Sequence, residues 1–354
     1  ASTINGGILT GDNADTVTVN STYNEPSSAI TNGPVILNAN VAGSAIAAGA
    51  GNDIVDVLNE VQVNGNIVAG IGDDTVTANI TNALYPGTTT GSITGTLDGG
   101  AGNDHITVNN AVSIGSVYGG QDADIITLNS ATTYSGIIHG GDPTTPTVDG
   151  NDTINLNAGT FQGGVDGGSA NDAINIASGT TFTGSNQITG GVGNDTLNLN
   201  GGAFSSGSSV AGGTGSDVIV ISTLESNLTI NGNEDGPVDG TADGDIDTLD
   251  LSALIGKVVY TASAQPGESG VFTENGSGRT ITFSNIETIV APLCFTAGTM
   301  IETIDGPRAI EMLRVGDLIE TRDNGYQPLR WIGSRRIDGE DLARHPKLRP
   351  ILVP

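Results

Sequence analysis

Aliphatic residues return along this chain at fixed distances from a recurrent aspartate. Two and four places after it stand Val17/Val19, Val55/Val57, Ile106/Val108, Ile126/Leu128, Ile154/Leu156, Ile174/Ile176, Leu197/Leu199, Ile219/Ile221 and Leu249/Leu251; only Ala78, after Val76, is undersized. Polar residues fall between them. That is the period-2 alternation of a strand with one face turned inward. Seven places before the aspartate another aliphatic recurs, as Ile8, Ile46, Ile67, Leu97, Val117, Val165, Ile188 and Val210. From Asp15 to Asp247 the aspartates are spaced 38, 21, 30, 20, 28, 20, 23, 22 and 30 apart. The short steps cluster at 20–23, and the long ones read as the same unit plus a loop. Residues 142–148, rich in Pro and Thr, form such an insertion. A period near twenty without helical stretches predicts an all-β chain, a parallel β-solenoid over residues 1–255. Each rung supplies roughly three inward aliphatics, stacked at about 4.8 Å. At about 1.5–3 kcal/mol per buried side chain, such a column is expected to form a core without aromatics.

The aspartate closes a glycine-rich turn: G-A-G-N-D at 49–53 and 100–104, G-I-G-D-D at 70–74, G-V-G-N-D at 191–195. Degenerate copies end at Asp15, Asp124, Asp152, Asp172, Asp217 and Asp247. Charge makes this repeat informative. The first basic residue is Lys257, and residues 1–293 carry the whole formal charge of −28. Such a field excludes nucleic acid and anionic membranes as partners, and it favours cations. Neighbouring carboxylates in a parallel stack lie roughly 5 Å apart, which costs on the order of 3 kcal/mol per pair at an effective dielectric near 20. Over a column of ten, that rivals the stability of a domain. Glycines free the turn to aim carbonyl oxygens at one point. Carboxylate and carbonyl oxygens without Cys or His suit Ca2+ better than Mg2+. The candidate ligands are Asp53, Asp74, Asp104, Asp124, Asp152, Asp172, Asp195 and Asp217. In the alternative reading each Asp only satisfies amides of the turn, an Asx-type role. Five places after the aspartate, Asn20, Asn109, Asn129, Asn157 and Asn200 predict a ladder of side-chain amides. One cysteine excludes an internal disulfide, and no apolar run is long enough to cross a bilayer.

G-G-A-G-N-D-H-I-T at 99–107 and G-G-V-G-N-D-T-L-N at 190–198 resemble the haemolysin-type (RTX) calcium repeat. The resemblance implies Ca2+ held between successive turns, in a protein secreted from a bacterium or displayed on its surface. One departure stands out. The family's turns recur on both edges at nine-residue spacing, whereas this chain has one per twenty or so. A single column of ions and a second, metal-free edge are therefore expected. Residues 256–291 read as antiparallel strands, a cap over the last rung. Pro292 then marks a boundary.

C-F-T-A-G-T-M-I at 294–301, followed by I-E-M-L-R-V-G-D-L-I-E-T-R-D-N-G and Q-P-L-R-W-I-G, resembles the start of a bacterial Hint (Hedgehog/intein) domain, here residues 292–354. The resemblance implies a compact all-β fold and self-processing. Cys294 would be the nucleophile that turns the Leu293–Cys294 peptide into a thioester by an N-to-S shift. Family members draw a base from a downstream Thr-x-x-His. His105, His139 and His345 lie in no such motif, so this chain is expected not to process itself. Asp317 in V-G-D is expected to make a structural turn contact and Trp331 to fill a core. The functional expectation is a calcium-stiffened solenoid of adhesin or matrix type, with surface glycans, other cells or further copies of itself as partners. Two other readings stand beside it. One is a polysaccharide-active β-helix, which the absence of Lys and Arg before Lys257 disfavours. The other is an ice-binding face built from outward Thr18, Thr77, Thr107, Thr127, Asn155, Asn175 and Asn198, interrupted by Asp56, Val220 and Asp250.

Overall fold

The computed structural model describes residues 2–20, 35–38, 43–59, 61–80, 91–142, 149–233, 246–254, 257–261, 269–290, 299–321 and 325–330. They divide into two units, one of residues 1–254 with 258–290, the other of 255–257 with 291–354. The first unit is a parallel β-solenoid with three sides. A representative coil runs along Ser44–Ala50, turns through the glycine corner, continues as Ile54–Leu58 and then Val61–Asn64, and enters the next coil at Asn66–Ile71. We call the sheets built from these three positions B, C and A respectively. Among the described residues sheet A holds 9 strands, B 13 and C 11. The anchor aspartate sits at the corner between B and C.

The alternating pattern lands as expected on two of these sides. Ile46, Ile67, Leu97, Val117, Val165, Ile188 and Val210 line the inner face of sheet B, all essentially inaccessible. The two aliphatics after each aspartate do the same for sheet C, and parallel pairing keeps them in register, as in Ile106↔Ile126 and Ile154↔Ile174. Period-2 side chains hold this register because a one-residue slip would turn every aliphatic outward.

The third side departs from expectation. Sheet A carries the inward series Val63, Ile93, Ile114, Tyr134, Phe161, Phe182 and Phe204 in successive register. From Tyr134 onward these are aromatic. Ring centroids are 4.9 Å apart for Tyr134–Phe161, 5.1 Å for Phe161–Phe182 and 4.8 Å for Phe182–Phe204, with nearly parallel planes. The strand repeat of the solenoid sets this spacing, which lies within the range of favourable aromatic pairs. The core therefore does use aromatics, concentrated on one side of the later coils.

The segment expected as a cap is a continuation of the coil with a hairpin added. Thr280–Ser284 pairs parallel with Leu228–Asn231 and extends sheet B, while Gly270–Glu274 and Val258–Thr261 add antiparallel to it. Thr288–Val290 extends sheet C in parallel. In the second unit Met300–Thr303, Gly306–Ala309, Leu318–Thr321 and Gly325–Pro328 form a four-stranded antiparallel sheet.

Candidate functional site

Close stacking of the turns dictates their glycines. Gly100 and Gly102 have φ of +113° and +121°, and a Cβ on either would run into the carbonyl oxygen of Gly70 or Gly72 in the preceding coil. A β-carbon fails there both for conformation and for space.

From Asp53 to Asp247 each anchor aspartate folds back beneath this turn and is buried; Asp53, Asp104, Asp195 and Asp247 are 1% exposed. One carboxylate oxygen has a structural job. The amide of Asp53 donates to Oδ1 of Asp74 at 2.7 Å, Asp74 to Asp104 at 2.7 Å, Asp104 to Asp124 at 2.6 Å, and Asp124 to Asp152 at 2.8 Å. The same bond links Asp152 to Asp172, Asp172 to Asp195, Asp195 to Asp217 and Asp217 to Asp247. At the end the amide of Asp247 donates to Oε2 of Glu287 at 2.6 Å, so a glutamate from the added coil finishes the ladder. The Asx-type role is thus real, but it uses half of each carboxylate. Among the described residues Oδ2 of Asp53, Asp74, Asp104, Asp124, Asp152, Asp172 and Asp195 is buried without a hydrogen-bond partner. Buried polar atoms of this kind are uncommon and call for a compensating group.

The residue five places before the aspartate decides what Oδ2 faces. In the later coils it is glycine, except that the insertion before Asp152 leaves the corresponding residue, Gly140, twelve places ahead of it. A Cβ on Gly119 would lie 2.6 Å from Oδ2 of Asp124 and would also overlap the carbonyl oxygen of Gly140 in the next coil. Gly99, Gly140, Gly167 and Gly190 meet the same pair of oxygens, from Asp104, Asp152, Asp172 and Asp195 and from the following coil's glycine. Gly212 meets Oδ2 of Asp217 likewise. A carboxylate and a carbonyl oxygen therefore converge beside each missing side chain. In the first coils Ala48 and Ala69 hold this place, both fully buried.

Electrostatic strain peaks in the central coils. Burial is the first cause of every upward shift in the column, opposed by the neighbouring amide and reinforced by adjacent carboxylates. It raises Asp74 to about 6, Asp104 to about 7, Asp124 to about 9, and Asp152 and Asp172 to about 8, before falling back to about 6 at Asp195. At neutral pH the central carboxyls must take up either a proton or a cation. Oxygen donors, a bare glycine beside each carboxylate and an unsatisfied Oδ2 fit a hard divalent ion. No cluster of three or more His, Cys, Asp or Glu side chains able to hold an ion occurs among the described residues. An ion here would thus draw its remaining ligands from backbone carbonyls.

Outside the corner, a second ladder is exposed. Oδ1 of Asn103 accepts the amide of Ala123, Asn171 that of Asn194, and Asn194 that of Ser216. The asparagine ladder after sheet C is present where Asn129 donates to Asn109 at 3.0 Å and Asn157 to Asn129 at 2.8 Å. On the outer face of sheet C, Thr77, Thr107, Thr127, Asn155, Asn175 and Asn198 stand in one register, with Asn175 donating to Asn155 and Asn198 to Asn175. In the second unit Asp317 Oδ2 accepts the Arg314 amide at 2.8 Å and the Arg308 guanidinium at 3.0 Å, the turn contact expected of it. Leu293, Cys294, Trp331 and His345 lie outside the described residues, as do insertion residues 143–148.

Three features escaped the sequence reading: the aromatic side, the Glu287 terminus of the ladder, and the alanine–glycine division before the aspartates. The first had a signal. Tyr134, Phe161, Phe182 and Phe204 fall nine or ten residues after their aspartates, a third period within the same repeat. Fold and corner together describe a three-sided parallel β-solenoid with an internal acidic column, followed by a separate all-β segment. That segment, residues 293–354, matches the family model described as the Hint domain. Among solved structures, the X-ray structure of a hyperactive, Ca2+-dependent, beta-helical antifreeze protein from an Antarctic bacterium is similar. It shares 22% identity over 71% of this chain and 77% of that chain, with a TM-score of 0.37. A search of curated proteins finds no match.

Proposed function

We propose that the solenoid is a calcium-stiffened extracellular scaffold, secreted or displayed on a bacterial surface, with a Hint-type segment behind it. The observation that carries this reading is the row of buried Oδ2 atoms facing bare glycines along the central coils. Asp104, Asp124, Asp152, Asp172, Asp195 and Asp217 are the ligands best placed for it; Asp53 and Asp74 face alanine instead. When bound, Ca2+ supplies charge neutralisation that the chain itself lacks. The chain's residues do the rest. Oδ1 holds the amide of the preceding coil's aspartate, the glycine leaves room, and stacking excludes water. In an adhesin or matrix role, rigidity is the functional property, and glycans or other cells are the partners. Calcium titration of the chelated protein, followed by circular dichroism, tests this; β signal and thermal midpoint should both rise, and no change in either counts against it.

The threonine–asparagine rank on sheet C supports a second reading, in which this face binds ice. Strands spaced about 4.8 Å apart set a regular lattice of hydroxyls and amides, although Asp56 and Val220 interrupt it. Thermal hysteresis measured with and without chelator separates the readings: a scaffold gives none in either condition. Processing at Leu293–Cys294 is a proposal of the terminal segment alone. Mass spectrometry of the chain incubated with and without dithiothreitol, beside Cys294→Ala, tests it by whether residues 1–293 are released.

A further inference from the structure

Away from the acidic column, one cleft on the outer face of sheet B combines residues of a different chemistry. Asp98, Tyr118, His139 and Asp166 follow one another there in strand register. His139 and Asp166 line an open cavity of about 370 Å3 together with Asp149, Ser169 and Thr189. His139 is only 9% exposed. Its Nδ1 is buried and has no hydrogen-bond partner among the described residues. Its Nε2 lies 3.6 Å from Oδ2 of Asp166, too far for a hydrogen bond. Tyr118 stands edge-on to the ring, with centroids 6.4 Å apart. Asp149 is held at the rim, where its carboxylate accepts the amides of Ser169 at 2.7 Å and Gly150 at 3.2 Å.

We propose that His139 and Asp166 bind a divalent first-row transition ion, of the zinc or cobalt kind, with water in the remaining positions. Two donors each about 2.1 Å from one ion at the tetrahedral angle lie roughly 3.4 Å apart, close to the separation observed. An imidazole nitrogen selects such an ion over Ca2+, which prefers oxygen alone. No Lys or Arg precedes Lys257, so the coils around this cleft carry no lysine or arginine in sequence. Among the described residues no third acidic, His or Cys side chain completes the set, so the site is open, with positions free for an exogenous ligand.

The test is a calorimetric titration of the full chain with ZnCl2 in saturating CaCl2, which keeps the acidic column occupied. Wild type is compared with His139→Ala, Asp166→Asn and His105→Ala. One equivalent of zinc should bind, at least tenfold more weakly in His139→Ala and Asp166→Asn and unchanged in His105→Ala. Titration with CoCl2 gives a second readout, since a visible absorption band from nitrogen–oxygen ligation should appear and be lost in His139→Ala. Asp166→Asn keeps shape and volume, so it decides the matter if His139→Ala does not fold. Absence of zinc binding, or equal affinity in wild type and Asp166→Asn, overturns the proposal.

Discussion

The early and the central coils are copies of one repeat that solve the same burial problem differently. In the early coils the inner corner is filled by Ala48 and Ala69, the third side by Val63 and Ile93, and Asp74 is pushed up only to about 6. In the central coils the corner is bare at Gly119 and Gly140, the third side is the Tyr134–Phe204 stack, and Asp124 is pushed up to about 9. In the proposed calcium reading, a methyl group beside the carboxylate takes up space that a bare glycine leaves to an ion. On that reading, one aspartate per coil is therefore not enough to make every coil an ion site. What stands five residues earlier matters as much.

The aromatic side should show the largest contrast. Phe161→Ala is expected to destabilise the solenoid by about 3–5 kcal/mol, while Val63→Ala on the same side of an early coil should cost about 1.5 kcal/mol. Urea unfolding in saturating calcium measures both. Next comes the corner. Gly119→Ala forces a Cβ onto Asp124 and Gly140, which should cost about 1–3 kcal/mol and remove one calcium equivalent. Ala69→Gly should cost only about 0.5–1 kcal/mol. Calorimetric stoichiometry beside thermal melts would break the comparison if both variants lost the same number of ions.

The pH dependence follows with its sign fixed. The central carboxyls have folded pKa values raised above the ordinary range, so the cation-free folded chain binds more protons than the unfolded one between about pH 4 and pH 9. The stability these groups contribute is therefore fully present only below about pH 4 and is lost progressively as pH rises to about 9. Calcium should flatten that loss. Asp124→Asn should flatten it more than Asp74→Asn, as melts across pH in chelator would show. The smallest effect belongs to the exposed ladder: Asn103→Ala frees the Ala123 amide to water and should cost less than about 1 kcal/mol.

Much of this was legible in the chain. Period-2 aliphatics around a repeating Asp gave two of the three sides, because a half-buried strand leaves an unambiguous alternation. The third side was harder to read. Its strands are as short as Ser113–Ile114 and Thr133–Tyr134, and each offers one inward residue, too few to alternate. The acidic column was readable as a count of charges. The division of labour between Oδ1 and Oδ2 was not, since it depends on which backbone amide of the neighbouring coil lies opposite. Glu287 closes the ladder from forty residues beyond Asp247, and no local pattern announces it. The His139–Asp166 cleft was invisible for a similar reason, because two residues 27 apart become neighbours only through coil register.

The account turns on whether divalent ions occupy the central corners. Anomalous difference maps from crystals grown in millimolar CaCl2 would locate them directly. Peaks beside Asp104, Asp124, Asp152, Asp172, Asp195 and Asp217, with none beside Asp53 and Asp74, are the predicted result. An intact solenoid whose column shows no anomalous density at that concentration would contradict it.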